Sequence, residues 1–592
     1  MLVSRQCRLP ILLIIFLLGG SGIALTPLLA QVNAAVVPRK EPVLADLFVE
    51  VRKIMQIKDP EEQAAALIGL AKNHPELIRV DGGGGNMAYM ANTYIKASAK
   101  SPAKLETWLK LFVPAVQSDL AGNGYASSDF NYRMAKNLLD SHVLVPQALE
   151  LARLAAEEFS EKDALQHEEY LHDERERRAH PNNRPASDPS DPSDRSDALD
   201  HYRRDAAARH SLLGDLYVGV GQNEAALTSY DKALKFSPNM GAYLGEAKLK
   251  ESFGDKSGAL ALLFDAVLTG HLQANSIEHM KQLYIELHPG GTEEQMSAAL
   301  DKLYRTRFQS PVRFSDYKPI STAPIHTVLG ELFTGAGCEP CISPDLAFDA
   351  ALKRYNRHEF VLLVYHDNSP AIDPLANPVT DERGKYYATG GSTPHAHLDG
   401  KLLDLVQGLS SHAQESADKI SAEIDEQISK PVDTNIVLSA TRHGDDVDVT
   451  AHVQGPPNSR SRRLHLDLVE KEVSYSGENS LRINPMVVRA TAQQTDSESG
   501  FPIPAGGVLD IHYTFEITKI EAANRAYYDH IDESLKKRSN GAMGAEYREK
   551  KVVIDPAQLA VAAFVQDDSN KTVQGASYSE VHDNIAVAMG ER

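Results

Sequence analysis

Cysteine is almost absent from this sequence: there are three in 592 residues. An exported chain that relied on disulfide staples would carry more, and a chain this long has cores large enough to do without them. Cationic charge is also short. Lys and Arg total 61 against 81 Asp and Glu, a formal net charge of −20, and no basic stripe reverses it. Such a surface repels nucleic acid and anionic lipid, so no nucleic-acid partner is expected. After the first thirty-odd residues no apolar run is long enough to span a bilayer, and no stable membrane span is expected. The usual hydrolase and zinc-protease signatures, G-x-S-x-G and H-E-x-x-H, are missing, and C-x-x-C occurs once. No cofactor is implied by any motif.

What is present begins with a leader. Arg5 and Arg8 precede the apolar run PILLIIFLLGG, and small residues follow up to Ala34. This is the pattern of a secretory signal peptide over residues 1–34, with VNA and LLA as alternative cleavage ends. An uncleaved anchor is the other reading of the same run. Cys7 lies before the apolar core and is not placed as a lipoprotein cysteine. The expected location is the periplasm or the exterior. Two cysteines, Cys338 and Cys341, then remain in the mature chain.

Length suggests three or four domains. From about residue 41 to 305 the apolar spacing is helical, as in VLADLFVEVRKIM and PEEQAAALIGLAKNH. DGGGGN (Asp81 to Asn86) lacks a following G-K-[ST] and reads as a flexible turn, not a phosphate cradle. In Ala207 to Met240, residues Leu213, Gly214, Tyr217, Gly221, Ala226, Tyr230, Ala233 and Pro238 match the tetratricopeptide pattern of small and large residues. Phe130 to Glu161 and Met240 to His271 match it more loosely, and SIEHMKQLYIELHPGGTEEQMSAALDKLY reads as a further helical hairpin. One repeat cannot bury its own apolar face, so neighbours must stack into an α-solenoid with a surface for protein partners. The charged, Pro- and Ser-rich stretch from His172 to Asp200 interrupts it. Its composition predicts a solvated linker, disordered or loosely helical at its start, more readily than a metal site.

From about residue 310 the period changes. HTVLGELF and FVLLVYHD read as strands around the helix PDLAFDAALKRY, and KLLDLVQGL as a second helix. From 432 to 580 alternating segments such as DVDVTAHVQ, RLHLDLVEKEV and LAVAAFVQD predict a β-sandwich-like domain, with a helix near EAANRAYYDHIDESLKKR.

GCEPC stands between the strand VLGELF and the helix PDLAFDAALKRY. Cys338 therefore lies near a helix N-terminus, where backbone N–H groups and the helix dipole favour a thiolate. Cys341, one turn on, is within reach to close a disulfide. Three chemistries fit the pair. One is dithiol–disulfide exchange, with Cys338 attacking and Cys341 resolving. Another is an inert structural disulfide. The third is a zinc or copper(I) site completed by His395 and His397, which share a strand face. Attachment of c-type haem is disfavoured, because Ile342 stands where C-x-x-C-H needs histidine.

The stretch ELFTGAGCEPCISPDLAFDAALKRY, with DPLANP, RGKYYATGGSTP and LDGK, resembles the thioredoxin-like domain of secreted or outer-membrane-associated bacterial redoxins. Its combination with tetratricopeptide repeats and the tail segments LDLVEKEV, VVRA and LAVAAFVQDDSNKTVQGA resembles redoxin-domain proteins of soil bacteria. The resemblance implies an α/β thioredoxin-like fold over residues 310–430 within a multi-domain chain. It implies thiol–disulfide exchange on exported protein substrates, and a cis-proline at Thr393-Pro394 facing the sulfurs. Three departures set this chain apart. Gly337 replaces the usual aromatic before the first cysteine. Leu332 replaces the buried Asp six residues before it, with Glu331 expected on the opposite face. Glu339-Pro340 replaces Gly-Pro, and a negative Glu339 would raise the pKa of Cys338. The third departure suggests a more modest catalyst, and the first two suit the alternative, a non-enzymatic envelope scaffold with a vestigial redox domain; a metal-handling protein is the third reading.

Overall fold

The computed structural model describes residues 50–583 apart from 51, 55, 74–82, 180–191, 316, 318–324, 458–460, 496–497, 540–543 and 545–546. The expected leader, 1–34, lies outside the described residues. The chain divides into two compact units, residues 1–151 and 152–592.

The first unit is helical. It holds α1 (Pro60–Asn73), α2 (Gly83–Ser98), α3 (Pro102–Asp119), α4 (Gly124–Asp140) and the start of α5 (Val145–Glu158). Helix α1 packs on α3 and α2 on α4. Trp108 is fully buried and lies between Tyr94 and Phe112, each ring centroid 4.5 Å away. The Asn123 side chain accepts the Ala126 amide and fixes the start of α4. The glycine run is not the turn its composition suggests: Gly83, Gly84 and Gly85 form the first turn of α2. Met87, Ala88, Ala91, Tyr94 and Ile95 are buried at helical spacing and draw the preceding glycines into the helix.

The second unit opens with a helical repeat region. Its helices are α6 (Glu161–Ala179), α7 (Pro192–Gly219), α8 (Asn223–Phe236), α9 (Met240–Ser252), α10 (Lys256–Leu268), α11 (Ala274–Leu287) and α12 (Glu293–Arg307), and successive helices pack on one another. The repeat signature falls on the seam of α7, α8 and α9. A Cβ built on Gly214 or Gly245 would collide with the ring of Tyr230, whose hydroxyl donates to Asp215 Oδ1 at 2.7 Å. The glycines make room and the tyrosine fills it. Within the stretch 172–200, expected to be loosely helical at its start, α6 continues to Ala179; α7 begins at Pro192, so the end is helix where a linker is expected, and 180–191 lie outside the described residues. The two helices are tied by His201 Nδ1, 3.2 Å from Glu168, and Phe159, just before α6, stacks on Tyr202 of α7.

A twelve-stranded sheet follows. Its strands are β1 (Val328–Thr334), β2 (Phe360–His366), β3 (His395–Leu398), β4 (Lys401–Leu402), β5 (Asn435–His443), β6 (Asp446–Gln454), β7 (Arg462–Ser474), β8 (Ile483–Thr491), β11 (Phe501–Pro502), β12 (Val508–Glu516), β13 (Leu559–Asp567) and β14 (Thr572–Asp583). A separate pair, β9 (Gln493–Thr495) and β10 (Glu498–Ser499), stands apart. The order is β12-β6-β5-β14-β13-β7-β8-β2-β1-β3-β4, with β11 on β7. Strands β1 and β2 are parallel and β3 is antiparallel to β1. Helices α13 (Ile342–Arg354) and α15 (Ala413–Ile428) pack together and against β2 and β1 respectively, while α14 (Pro378–Tyr387) and α16 (Ile517–Arg538) touch each other.

The boundary expected near residue 430 is crossed by the sheet, because β8 pairs with β2 at Val364 and Val487. Period-two alternation explains how one strand serves two cores. Along β13, Ala560, Ala562 and Phe564 face the core of β1, β2, α13 and α15. Leu559, Val561, Ala563 and Val565 face a second core shared with β6 and β12.

KLLDLVQGL is not a helix. Lys401 and Leu402 form β4, and the helix comes later, as α15. Asp399 and Gly400 take positive φ and turn β3 back into β4, and Leu403 N donates to the Ala396 carbonyl. At Gly400 a Cβ would strike the Lys571 carbonyl, so this turn requires glycine twice over.

Candidate functional site

The cysteine loop grows out of β1, every residue of which is buried. The chain turns at Gly335–Gly337, makes one 3₁₀ turn over Glu339–Cys341, and enters α13 at Ile342. Cys338 N donates to the Gly335 carbonyl at 3.0 Å, and Cys341 N to the Cys338 carbonyl at 3.2 Å. Cys338 and Cys341 are joined by a disulfide, with Cα atoms 5.3 Å apart.

Thr393 is brought against the pair, with Pro394 next to it in the chain. The Thr393-Pro394 peptide is cis, and Thr393 Oγ1 lies 3.4 Å from Cys338 Sγ while donating to the Ser369 carbonyl at 2.9 Å. The Ser369-Pro370 peptide is also cis. The head of α13 thus meets the residues just before β3 through Cys338 and Thr393.

The metal set of the third reading is not assembled. The sulfurs are bonded to each other, and the His397 ring stacks on Tyr387 with centroids 3.7 Å apart. His395 Nε2 lies 2.7 Å from Ser392 Oγ. Burial lowers the His397 pKa to about 4. Among the described residues no group of three or more His, Cys, Asp and Glu side chains could hold a metal ion.

Each departure from the redoxin pattern has a structural counterpart. A Cβ on Gly337 would stand 3.4 Å from both Ala371 Cβ and Glu478 Oε2, leaving little space for an aromatic ring. Leu332 faces a cavity of about 240 Å³ beside α13. Glu331 points the other way and is fully buried, held by Arg383 Nε at 2.6 Å and by the Tyr387 hydroxyl at 2.6 Å. Glu339 pairs with Arg204 of α7 at 2.8 Å, which offsets the charge it would otherwise press on Cys338.

Sequence reasoning missed the acid groups beside the pair. Asp345 lies four residues after Cys341 on α13, hence on the same helical face. It lines the cavity with Thr334 and His366, and the Asn479 side-chain nitrogen is 3.5 Å from its Oδ2. Desolvation raises its pKa to about 7. Asp373 Oδ2 accepts the Ala336 amide at 2.6 Å and lies 3.0 Å from His366 Nδ1, so it anchors the cysteine loop. The (i, i+4) spacing of Cys341 and Asp345 was readable in the sequence; the Asp373 contact, across 37 residues, carried no local signal.

A reactive thiol is ordinarily open to solvent, and neither sulfur is here. Cys338 is 1 % exposed and Cys341 0 %.

No protein-family model matches this chain, and no curated protein matches it. Solved structures give low-scoring likenesses. HBP35 of Porphyromonas gingivalis is 12% identical with a TM-score of 0.32, over 46% of this chain and 81% of that one. A domain of the outer membrane lipoprotein Omp28 from Porphyromonas gingivalis is 13% identical with a TM-score of 0.16, over 26% and 92%. TTC0263, a thermophilic TPR protein in Thermus thermophilus, is 17% identical with a TM-score of 0.16, over 33% and 98%. Scores this low carry no argument about fold or activity.

Proposed function

We propose that this chain is an exported thiol–disulfide oxidoreductase acting on protein substrates through Cys338 and Cys341. In this reading residues 310–430 carry a thioredoxin-like arrangement whose sheet the C-terminal, sandwich-like strands continue, and the tetratricopeptide-like helices are a docking surface for protein partners. The leader would direct the chain to the periplasm or exterior. The observation that carries the reading is the disulfide at the head of α13 with Thr393 Oγ1 set against Cys338 Sγ beside cis-Pro394.

In the reductive direction the Cys338 thiolate attacks one sulfur of a substrate disulfide. A mixed disulfide forms and one substrate thiolate leaves and takes a proton. The Cys341 thiolate then attacks Cys338 Sγ, the second substrate thiolate departs, and the pair is left oxidised, the state seen here. A dithiol reductant restores it. Cys338 sits where the α13 dipole favours the thiolate, and Pro394 and Thr393 shape the wall a substrate strand would meet.

Cys338→Ser should abolish dithiothreitol-driven reduction of a model protein disulfide, while Cys341→Ser should trap a mixed disulfide. Unchanged turnover in Cys338→Ser would sink the proposal. The burial of Cys338 favours a second reading, a non-enzymatic scaffold whose partners bind the helices and whose disulfide is inert. Retained partner binding with no turnover in the native chain would select it.

A further inference from the structure

The head of a helix is ordinarily an accessible place, yet Cys338 has almost no exposure. Besides Thr393, whose Oγ1 lies 3.4 Å from Cys338 Sγ, two pieces of the second unit reach the residues that flank it. One is α7, whose Arg204 Nη1 reaches Glu339 Oε1 at 2.8 Å, with both side chains about half exposed. The 3₁₀ turn Ser410–His412, which precedes α15, also touches α7. The other is the turn between β7 and β8. Asn479 N donates to the Ala336 carbonyl at 2.9 Å, and Glu478 flanks Gly337.

That turn is held from behind by the helical repeats. Gly270, at φ +75°, closes α10 directly against Gly477, where a Cβ would collide with the Gly477 carbonyl. Ser480 Oγ donates to the Thr269 carbonyl at 3.4 Å. A continuous line of contacts therefore runs from the end of α10, through 477–480, to the residue two before Cys338.

We propose that the helical repeats gate the dithiol: α7 and the α10-braced turn 477–480 close over Cys338, and thiol chemistry waits on their opening. Thiol–disulfide exchange needs a sulfur approached along the S–S axis by a second sulfur, which a 1 % exposed residue does not admit. The gate builds on the exchange reading for its purpose, but its test reads access alone.

The experiment is the rate of iodoacetamide alkylation of Cys338 in the reduced full-length protein, located by peptide mass. Native protein should react at least about 100-fold more slowly than the same protein in urea. Arg204→Gln should raise the native rate about threefold, the modest effect expected of an exposed ion pair. Added salt should accelerate the native protein towards that rate and leave the variant unmoved. Electrostatics without a gate predicts the reverse sign, because removing a cation near Glu339 disfavours the thiolate and slows alkylation. Gly270→Ala, which displaces the turn from behind, should also accelerate the reaction. An unchanged or slower rate in Arg204→Gln, or a native rate equal to that in urea, overturns the gate. A protein with no reductase activity that still shows these rate changes would lose the exchange reading and keep the gate.

Discussion

Asp345 and His397 are pushed in opposite directions by the same cause. Desolvation raises the Asp345 carboxyl from 3.8 to about 7 and lowers the His397 imidazole from 6.5 to about 4. The signs of their stability contributions therefore differ. Between about pH 4 and 7 the folded protein keeps the Asp345 proton that the unfolded chain releases, so stability falls as pH rises through that window. For His397 the unfolded chain binds a proton that the folded one refuses, so stability falls as pH drops from about 6.5 towards 4. Asp345→Asn should accordingly stabilise the protein above pH 7 and leave it unchanged near pH 4. Urea midpoints across pH 4–8 check this; equal shifts at both ends would contradict it. The pair of cysteines and Thr393-Pro394 were legible because each is a short motif on a predicted strand or helix end. His366 and Asp373 were not, because their roles come from a contact across the fold.

The seam of α7, α8 and α9 depends on two glycines meeting one tyrosine. Gly214→Val would press two methyl groups into the Tyr230 ring and should cost about 1–3 kcal/mol, the usual penalty of overpacking. Tyr230→Leu in the same chain should recover part of that loss, measured by thermal unfolding of single and double variants; strictly additive losses would mean the two sites do not touch. This element was legible, since small and large residues recur at a fixed period. The helix α15 was not expected, although Ala413, Ala417, Ile420, Ile424 and Ile428 lie on one face and are buried. KLLDLVQGL, just before it, offers a competing helical pattern, but its apolar residues are spent on a short strand and a loop. There the Gly408 amide bonds the Pro340 carbonyl and the Ser343 amide bonds the Gly408 carbonyl. Tertiary pairing overrode local pattern. At the end of the charged stretch α7 is helical where composition suggested a linker, and the Phe159–Tyr202 stack and the His201–Glu168 contact hold it.

Across the second unit the strand-rich segments were legible one by one, but their joint sheet was not. Alternation in LAVAAFVQD signals a strand, while the burial of both its faces depends on what lies above and below. Ala560, Ala562 and Phe564 cover the β1–β2 core, so that core is incomplete without the C-terminal strands. A fragment of residues 310–430 should consequently fail to fold cooperatively, showing a broad urea transition and dye binding to exposed apolar surface. A sharp two-state transition in that fragment would show that the sheet continuity is dispensable.

The central claim is that Cys338 and Cys341 form a working redox couple. Its most direct test is the equilibrium reduction potential of the full-length protein in glutathione buffers, read by alkylation gel shift. The account predicts a value between about −270 and −120 mV, where catalytic dithiols lie. A value below about −300 mV, the range of structural bonds, would contradict it.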